Sequence, residues 1–273
     1  MRIVVTGGAS GVGAALVERL RQAQHEIHVL DVAVPTDTDG IEFVSCDLSD
    51  QNAIDAAIEQ LPTPIDALAN VAGIARADSG TTVLAVNFFG LRHLTDRLFD
   101  RLSEQAAVVN VSSVAGRDWA PRYDKLKPVL ETPSMAEGLS WCAEHQDWVD
   151  RDPYSLSKRL VTAYTLREAQ RFMREDRTIN CVSPGNIDTP LYPQFEALMG
   201  EEHSRWMIAQ AGRTSTPGEI AEVIDMLLTS RCARLNGVDI PVDGGYTAGL
   251  ESGWIDFAAS PIGLAMAKKA GGG

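Results

Sequence analysis

Arg2-Ile3-Val4-Val5-Thr6 runs directly into Gly7-Gly8-Ala9-Ser10-Gly11-Val12-Gly13, and Ala14-Ala15-Leu16-Val17-Glu18-Arg19-Leu20 follows with helical character. A buried strand, a glycine-rich turn and a helix in immediate succession form the entry of a dinucleotide-binding α/β fold. Glycines let the backbone approach a pyrophosphate, and the helix N-terminus offers N–H groups and partial positive charge. The spacing is Gly7-x-x-x-Gly11-x-Gly13 rather than Gly-x-Gly-x-x-Gly, so the weight rests on the placement between strand and helix. Gly7, Ser10, Gly11, Val12 and Gly13 are the candidate contacts of this turn.

Outward from the turn, the pattern repeats. A second strand, Glu26 to Leu30, ends in Asp31. A carboxylate there can accept hydrogen bonds from an adenosine ribose and repels a 2′-phosphate; with no arginine beside it, the cofactor expected is NAD rather than NADP. Ile41 to Val44 leads to Cys46-Asp47-Leu48, a helix is expected over Asn52 to Leu61, and Ile65 to Ala69 ends at Asn70-Val71-Ala72-Gly73. A long helix is expected from Thr81 to Leu102, carrying Asn87. A strand from Ala107 to Val111 enters Ser112-Ser113. Alternating strands and helices with short connections specify one doubly wound parallel sheet of the Rossmann type, about seven strands with helices on both faces. Ligands bind at the carboxyl ends of such strands, where the turn, Asp31, Asp47, Asn70 and Ser113 all fall.

The second half holds Asp152-Pro153-Tyr154-Ser155-Leu156-Ser157-Lys158. Pro153 suits a first helical turn and Asp152 can cap it. Tyr154 and Lys158 are then i and i+4 neighbours, and an ammonium beside a phenol favours the phenolate. On spacing alone this is an ordinary surface pair; the rest of the chain gives it meaning. The preceding stretch, 117–151, is expected to be a helical insert of two short helices divided by Pro121, Pro128 and Pro133. Its Trp119, Trp141 and Trp148 should pack on the domain, wall a cleft or meet a second subunit, packing being favoured. Thr178 to Val182 reads as a strand, 190–213 as a mobile, partly helical segment over the site, and Pro217 to Thr229 as a helix capped by Thr216. Val238 to Val242 is the last strand. Part of the tail, 246–273, is expected to pack as an extended arm, with Lys268 to Gly273 expected to be disordered.

Composition narrows the function classes. The 273 residues suit one domain without a linker, and 45% are hydrophobic, with no run long enough to span a membrane. A net charge of −13 argues against nucleic acid. Cys46, Cys142, Cys181 and Cys232 show no paired spacing and the five histidines no ligand spacing, so neither a metal nor a disulfide framework is expected. The N-terminus lacks a signal-peptide pattern, so a cytoplasmic location is expected.

Six motifs in order resemble the short-chain dehydrogenase/reductase family over nearly the whole chain. They are Thr6-Gly7-x-x-x-Gly11-x-Gly13, Asn70-Val71-Ala72-Gly73, Asn87, Ser113, Tyr154-x-x-x-Lys158 and Pro184-Gly185-x-Ile187-x-Thr189. Val71 stands where the family commonly has asparagine. The long gap between Ser113 and Tyr154, with Val86-Asn87-Phe88-Phe89-Gly90, is similar to the branch of bacterial 3α-hydroxysteroid dehydrogenase/carbonyl reductases and coniferyl-alcohol dehydrogenases.

The resemblance implies an NAD-dependent alcohol dehydrogenase/carbonyl reductase. Tyr154 is its base, Lys158 lowers the phenol pKa, Ser113 holds the substrate oxygen, and Asn87 orients a water leading to solvent. Tyr154 and Lys158, the latter holding the nicotinamide ribose hydroxyls, together with Asp47, Leu48, Asn70, Ala72, Gly73, Ile187 and Thr189, complete the implied cofactor contacts. Val114, Trp119, Trp148, Leu191, Tyr192, Phe195 and Trp206 are the candidate substrate walls, suited to a small apolar alcohol or ketone. A 3α-hydroxysteroid is the first expectation, with a coniferyl, aryl or terpenoid alcohol as the alternative. A silent NAD-binding sensor conflicts with the full set of catalytic residue types. A sugar epimerase or dehydratase conflicts with the glycine spacing. The family pairs subunits through the helices bearing Asn87 and Tyr154. An insert over that surface implies a homodimer through the Pro217 helix and last strand, a tetramer being the alternative.

Overall fold

The computed structural model describes residues 1–271. Seven parallel strands form one sheet in the order β3-β2-β1-β4-β5-β6-β7. They are β1 Arg2–Thr6, β2 Glu26–Asp31, β3 Ile41–Ser45, β4 Ile65–Asn70, β5 Leu102–Val111, β6 Thr178–Pro184 and β7 Asp239–Val242. The order reverses between β1 and β4, which pair from Ile3↔Ala67 to Thr6↔Asn70. That reversal opens a crevice at the carboxyl ends of both strands.

Strand alternation divides the core in two. Val4, Leu68 and Val108 face one layer, together with α2 (Gln51–Gln60), α4 (Leu91–Leu98) and α8 (Pro153–Arg174). Ile3, Val5, Ala67, Ala69 and Val109 face the other, against α1 (Gly11–Gln22) and α11 (Pro217–Thr229). Helix α1 buries Val12, Leu16 and Leu20 four residues apart, with Gly13 and Val17 beside them. Helix α11 starts as expected, in a capping box between Thr216 and Glu219 with Pro217 in its first turn. Asp152 likewise caps α8, accepting from Ser155 N at 3.3 Å.

Three expectations need correction. The long helix ends before Leu102. It comprises α3 (Gly80–Leu84), a π-helical turn over Ala85–Gly90, α4 and a 3₁₀ turn over Phe99–Arg101. Leu102 instead begins β5, because it pairs with Ile65 across a bulge. The insert holds more than two helices: a 3₁₀ segment Val114–Arg122, then α5 (Tyr123–Leu130), α6 (Met135–Glu144) and α7 (Gln146–Val149). Pro128 does not break α5, since it lies on the exposed face where the carbonyl it leaves unpaired can reach water. The tail is helical rather than extended: α12 (Tyr246–Ser252), a 3₁₀ turn Phe257–Ala259 and α13 (Pro261–Gly271). Pro261 opens α13, and the buried Ser260 hydroxyl accepts from Gly263 N at 3.0 Å. Lys268 and Lys269 are therefore helical, while Gly272 and Gly273 lie outside the described residues.

The segment expected over the site forms α9 (Tyr192–Met199) and α10 (Glu201–Ala211), joined at Gly200 with φ +83°.

Candidate active site

The glycine turn is a cradle that side chains would fill. Gly7 has φ +72°, and a Cβ on it would lie 2.7 Å from Ala72 Cα. A Cβ on Gly13 would lie 2.0 Å from the Gly7 carbonyl oxygen, so α1 can approach its own turn only as glycine. Thr6 fastens the neighbouring loop: its Oγ1 accepts from Val71 N at 3.0 Å and Ala72 N at 3.1 Å. Asp31 closes the other side, accepting from Ala9 N at 2.9 Å and Ala33 N at 3.0 Å. Thr189 lies beside Gly11, its Cγ2 3.5 Å from where a Cβ would be. Ile187 bridges to Ser215 and packs on the α1/α11 layer. The crevice, the small-residue cradle and an acidic group at the end of β2 together fit an adenine dinucleotide lacking a 2′-phosphate.

Asn70, Asp47 and Leu48 each engage groups of the protein itself. The Asn70 side chain points into the core, donating to Thr95 Oγ1 at 2.9 Å and Asn110 Oδ1 at 2.8 Å. Asn110 passes the chain on to Thr165 Oγ1 at 2.8 Å, so this buried network ties β4, β5, α4 and α8 together. The Asp47 carboxylate is engaged with the Ser49 amide and hydroxyl at 2.8 and 2.7 Å, and Leu48 is buried, its carbonyl pressed against Gly90.

At the next strand ends, Ser113, Tyr154, Lys158 and Asn87 come together. Asn87 sits in the π-helical turn, a form frequent at functional sites. Its Oδ1 accepts from Ile74 N at 2.8 Å, and its Nδ2 donates to Ile74 O at 2.9 Å and Ser157 Oγ at 3.1 Å. This clamps the loop after β4 to α8. Gly73 lies between Asn87 Oδ1 and Lys158 Nζ, where a Cβ would be 3.3 and 3.5 Å from them. Lys158 is buried, donates to Val111 O at 2.9 Å, and lies 5.8 Å from the Tyr154 ring centroid.

Burial opposes the depression of the Tyr154 pKa expected from the Lys158 charge. Burial pushes the Tyr154 phenol up to about 12, with the Ser113 hydroxyl pulling it partway back. Burial also brings the Lys158 ammonium down to about 8. Spacing alone shows an attraction, whereas the folded site disfavours both charged forms.

Among the expected walls, Phe195 of α9 packs its ring 4.8 Å from that of Tyr154 at 65°. Leu191 precedes α9, and the Tyr192 hydroxyl meets Ser204 Oγ at 2.7 Å, tying α9 to α10. Val114 opens the segment after Ser113. Trp119 stacks edge-on with Tyr123, and Trp148 with Trp141, both against the insert side of the core. Trp206 stacks on His203 and meets Tyr246, which joins α10 to the tail. Sequence reasoning missed Thr6 as a loop clamp, Asn110, and the arginines Arg92 and Arg117. Thr6 was visible as the hydroxyl ending a strand just before the turn; the arginines read as ordinary surface charges.

The family model described as "short chain dehydrogenase" matches residues 1–124, and one described as "Enoyl-(Acyl carrier protein) reductase" matches residues 125–247. A coniferyl-alcohol dehydrogenase from Pseudomonas sp. is 34% identical over 90% of this chain and 96% of its own. The chain belongs to the short-chain dehydrogenase/reductase family. A 3-alpha-hydroxysteroid dehydrogenase/carbonyl reductase from Comamonas testosteroni is 28% identical over 90% of this chain and 96% of its own. Among solved structures, a 3-alpha-hydroxysteroid dehydrogenase from Pseudomonas sp. B-0831 complexed with NADH superimposes with a TM-score of 0.76. It is 30% identical, over 92% of this chain and 99% of that one. As a family member the chain carries an oxidoreductase scaffold. Among the described residues no helix is long and apolar enough to cross a membrane.

Proposed function

We propose that this short-chain dehydrogenase interconverts an aryl alcohol of the coniferyl type and its carbonyl compound, using NAD. The convergence of Ser113, Tyr154 and Lys158 beside the dinucleotide crevice carries the reaction class. NAD, when bound, supplies the acceptor for the carbinol hydride. Gly7, Gly11 and Gly13 would give its diphosphate room, and Asp31 would accept from its adenosine ribose. Ser113 would donate to the substrate oxygen, Tyr154 as phenolate would take its proton, and the Lys158 ammonium would favour that phenolate over the neutral phenol.

The ranking of substrates differs from the first expectation. A hydroxysteroid headed the sequence reading, but the coniferyl-alcohol relative is more similar, 34% against 28%. The aromatic ring of Phe195 against Tyr154 also suits a planar aryl group. NAD reduction measured over cinnamyl alcohols, hydroxysteroids and monoterpenols tests this. The highest kcat/KM should fall on coniferyl alcohol; a hydroxysteroid preferred by tenfold or more would return the reading to the steroid.

We also infer a homodimer. The insert lies across the faces of α4 and α8 that would otherwise be free to pair. A Cβ on Gly138 would fall 2.1 Å from Phe89 Cε1. Buried Arg92 bonds to Thr132 Oγ1 and Ser134 O, both at 3.1 Å. These contacts support pairing through α11 and β7 instead, and a stable tetramer by solution mass would count against it. The cysteines of the described chain are free thiols, which suits the expected cytoplasmic setting.

A further inference from the structure

We propose that Arg117 is a positioning residue that holds the Ser113 hydroxyl in register with Tyr154, through its ion pair to Asp239. The inference rests on the catalytic roles given above for Ser113 and Tyr154.

Ser113 opens a tight turn. Its Oγ accepts from Ala115 N at 3.2 Å, and its carbonyl accepts from Gly116 N at 2.8 Å. Two contacts fix where that turn lies. On one side Gly116 presses on α8, where a Cβ would sit 2.6 Å from the Lys158 carbonyl oxygen. That contact stops the turn from moving toward α8 but not away from it. The opposite restraint is Arg117, whose Nη1 donates to Asp239 Oδ2 at 2.8 Å and whose Nη2 donates to Glu251 Oε1 at 3.2 Å.

The acceptor is itself immobilised. Asp239 Oδ1 accepts from Ser183 Oγ at 2.6 Å and Cys181 Sγ at 3.4 Å, and Asp239 pairs with Cys181 in the β6–β7 register. The charges facing Arg117 are thus Asp239 from β7 and Glu251 from α12; Arg159 of α8 is taken up by Asp118. Arg117 Nε is buried without a partner among the described residues. A side chain serving only surface charge would turn that nitrogen to water. Here the fork is held in one pose at the expense of a hydrogen bond, as a positional restraint requires. Through Glu251 the same guanidinium reaches α12, whose Tyr246 packs on Trp206 of α10. The turn bearing Ser113 and the segment above the site therefore share one anchor.

A double-mutant cycle of R117M and S113A, with coniferyl alcohol and NAD, tests the proposal. R117M should lower kcat about tenfold, as expected of a displaced catalytic group, with KM changed less than about twofold. In the S113A background the same substitution should cost less than about twofold, since the group it positions is gone. R117K should recover part of the loss, keeping the charge but not the fork. Thermal melts establish that each variant is folded. Equal losses in both backgrounds overturn the proposal.

A second readout does not need turnover. With 3-fluorotyrosine at the five tyrosines, the fluorine resonance missing from Y154F belongs to Tyr154. S113A and R117M should shift it in the same direction. A resonance that S113A moves and R117M does not, or that neither moves, overturns the proposal. If no alcohol is oxidised, the proposed function fails while this resonance still decides the role of Arg117.

Discussion

Tyr154→Phe is expected to lower kcat for alcohol oxidation about a thousandfold, within the range lost with a general acid–base group. NAD affinity should stay within about twofold, because the cradle of Gly7, Gly11 and Gly13 lies on another loop. The substitution removes one oxygen and keeps the ring that Phe195 packs against at 4.8 Å. Thermal stability should therefore fall by no more than about 1 kcal/mol, the size of the lost hydrogen bond with Ser113. Steady-state kinetics beside a calorimetric titration with NAD separate these effects. Turnover above a few per cent would show that the proton leaves by another group.

Lys158→Met should have effects of opposite sign on activity and stability. Turnover should fall about a hundredfold or more, since the charge beside the phenol is lost. The cofactor-free protein should nevertheless become more stable at pH 7. Burial brings Lys158 from 10.5 down to about 8. Below pH 8 the folded protein thus carries an ammonium in a place that disfavours it. Between pH 8 and 10.5 the unfolded chain holds a proton that the folded one has released, so stability rises with pH through that window. At about 1.4 kcal/mol per pH unit the burden at pH 7 is about 3 kcal/mol at most. Losing the bond to Val111 O takes back about 1 kcal/mol. A gain of about 2 kcal/mol at pH 7, shrinking toward pH 10, should appear in urea midpoints. A lower midpoint at pH 7 would mean the ammonium is stabilised where it lies.

The sheet, the cradle and the Tyr154–Lys158 helix were legible because each is written in local pattern. Buried runs mark the strands, the glycines of 7–13 mark a close approach, and Asp152-Pro153 marks a helix start. The tail misled because Trp254 and Phe257 suggest an extended arm packed on the domain; Ser260 and Pro261 make a helix instead. The direction of the Asn70 side chain was illegible for a different reason. A motif fixes the position of its backbone, but strand alternation turned the side chain to the core. The acidity of Tyr154 was invisible because spacing shows the neighbouring charge and not the desolvation. Arg92 and Arg117 look like surface residues until Ser134 and Asp239, distant in sequence, arrive beside them.

These features meet in the proposal that the strand-end cluster of Ser113, Tyr154 and Lys158 takes the proton of an aryl carbinol whose hydride passes to NAD. Coniferyl alcohol deuterated at the carbinol carbon tests this most directly, with wild-type protein and Y154F compared by mass spectrometry of the recovered cofactor. The wild-type protein should place deuterium on the reduced nicotinamide and release coniferaldehyde, while Y154F should transfer almost none. Reduced cofactor without the label, or equal labelling by both proteins, would contradict the account.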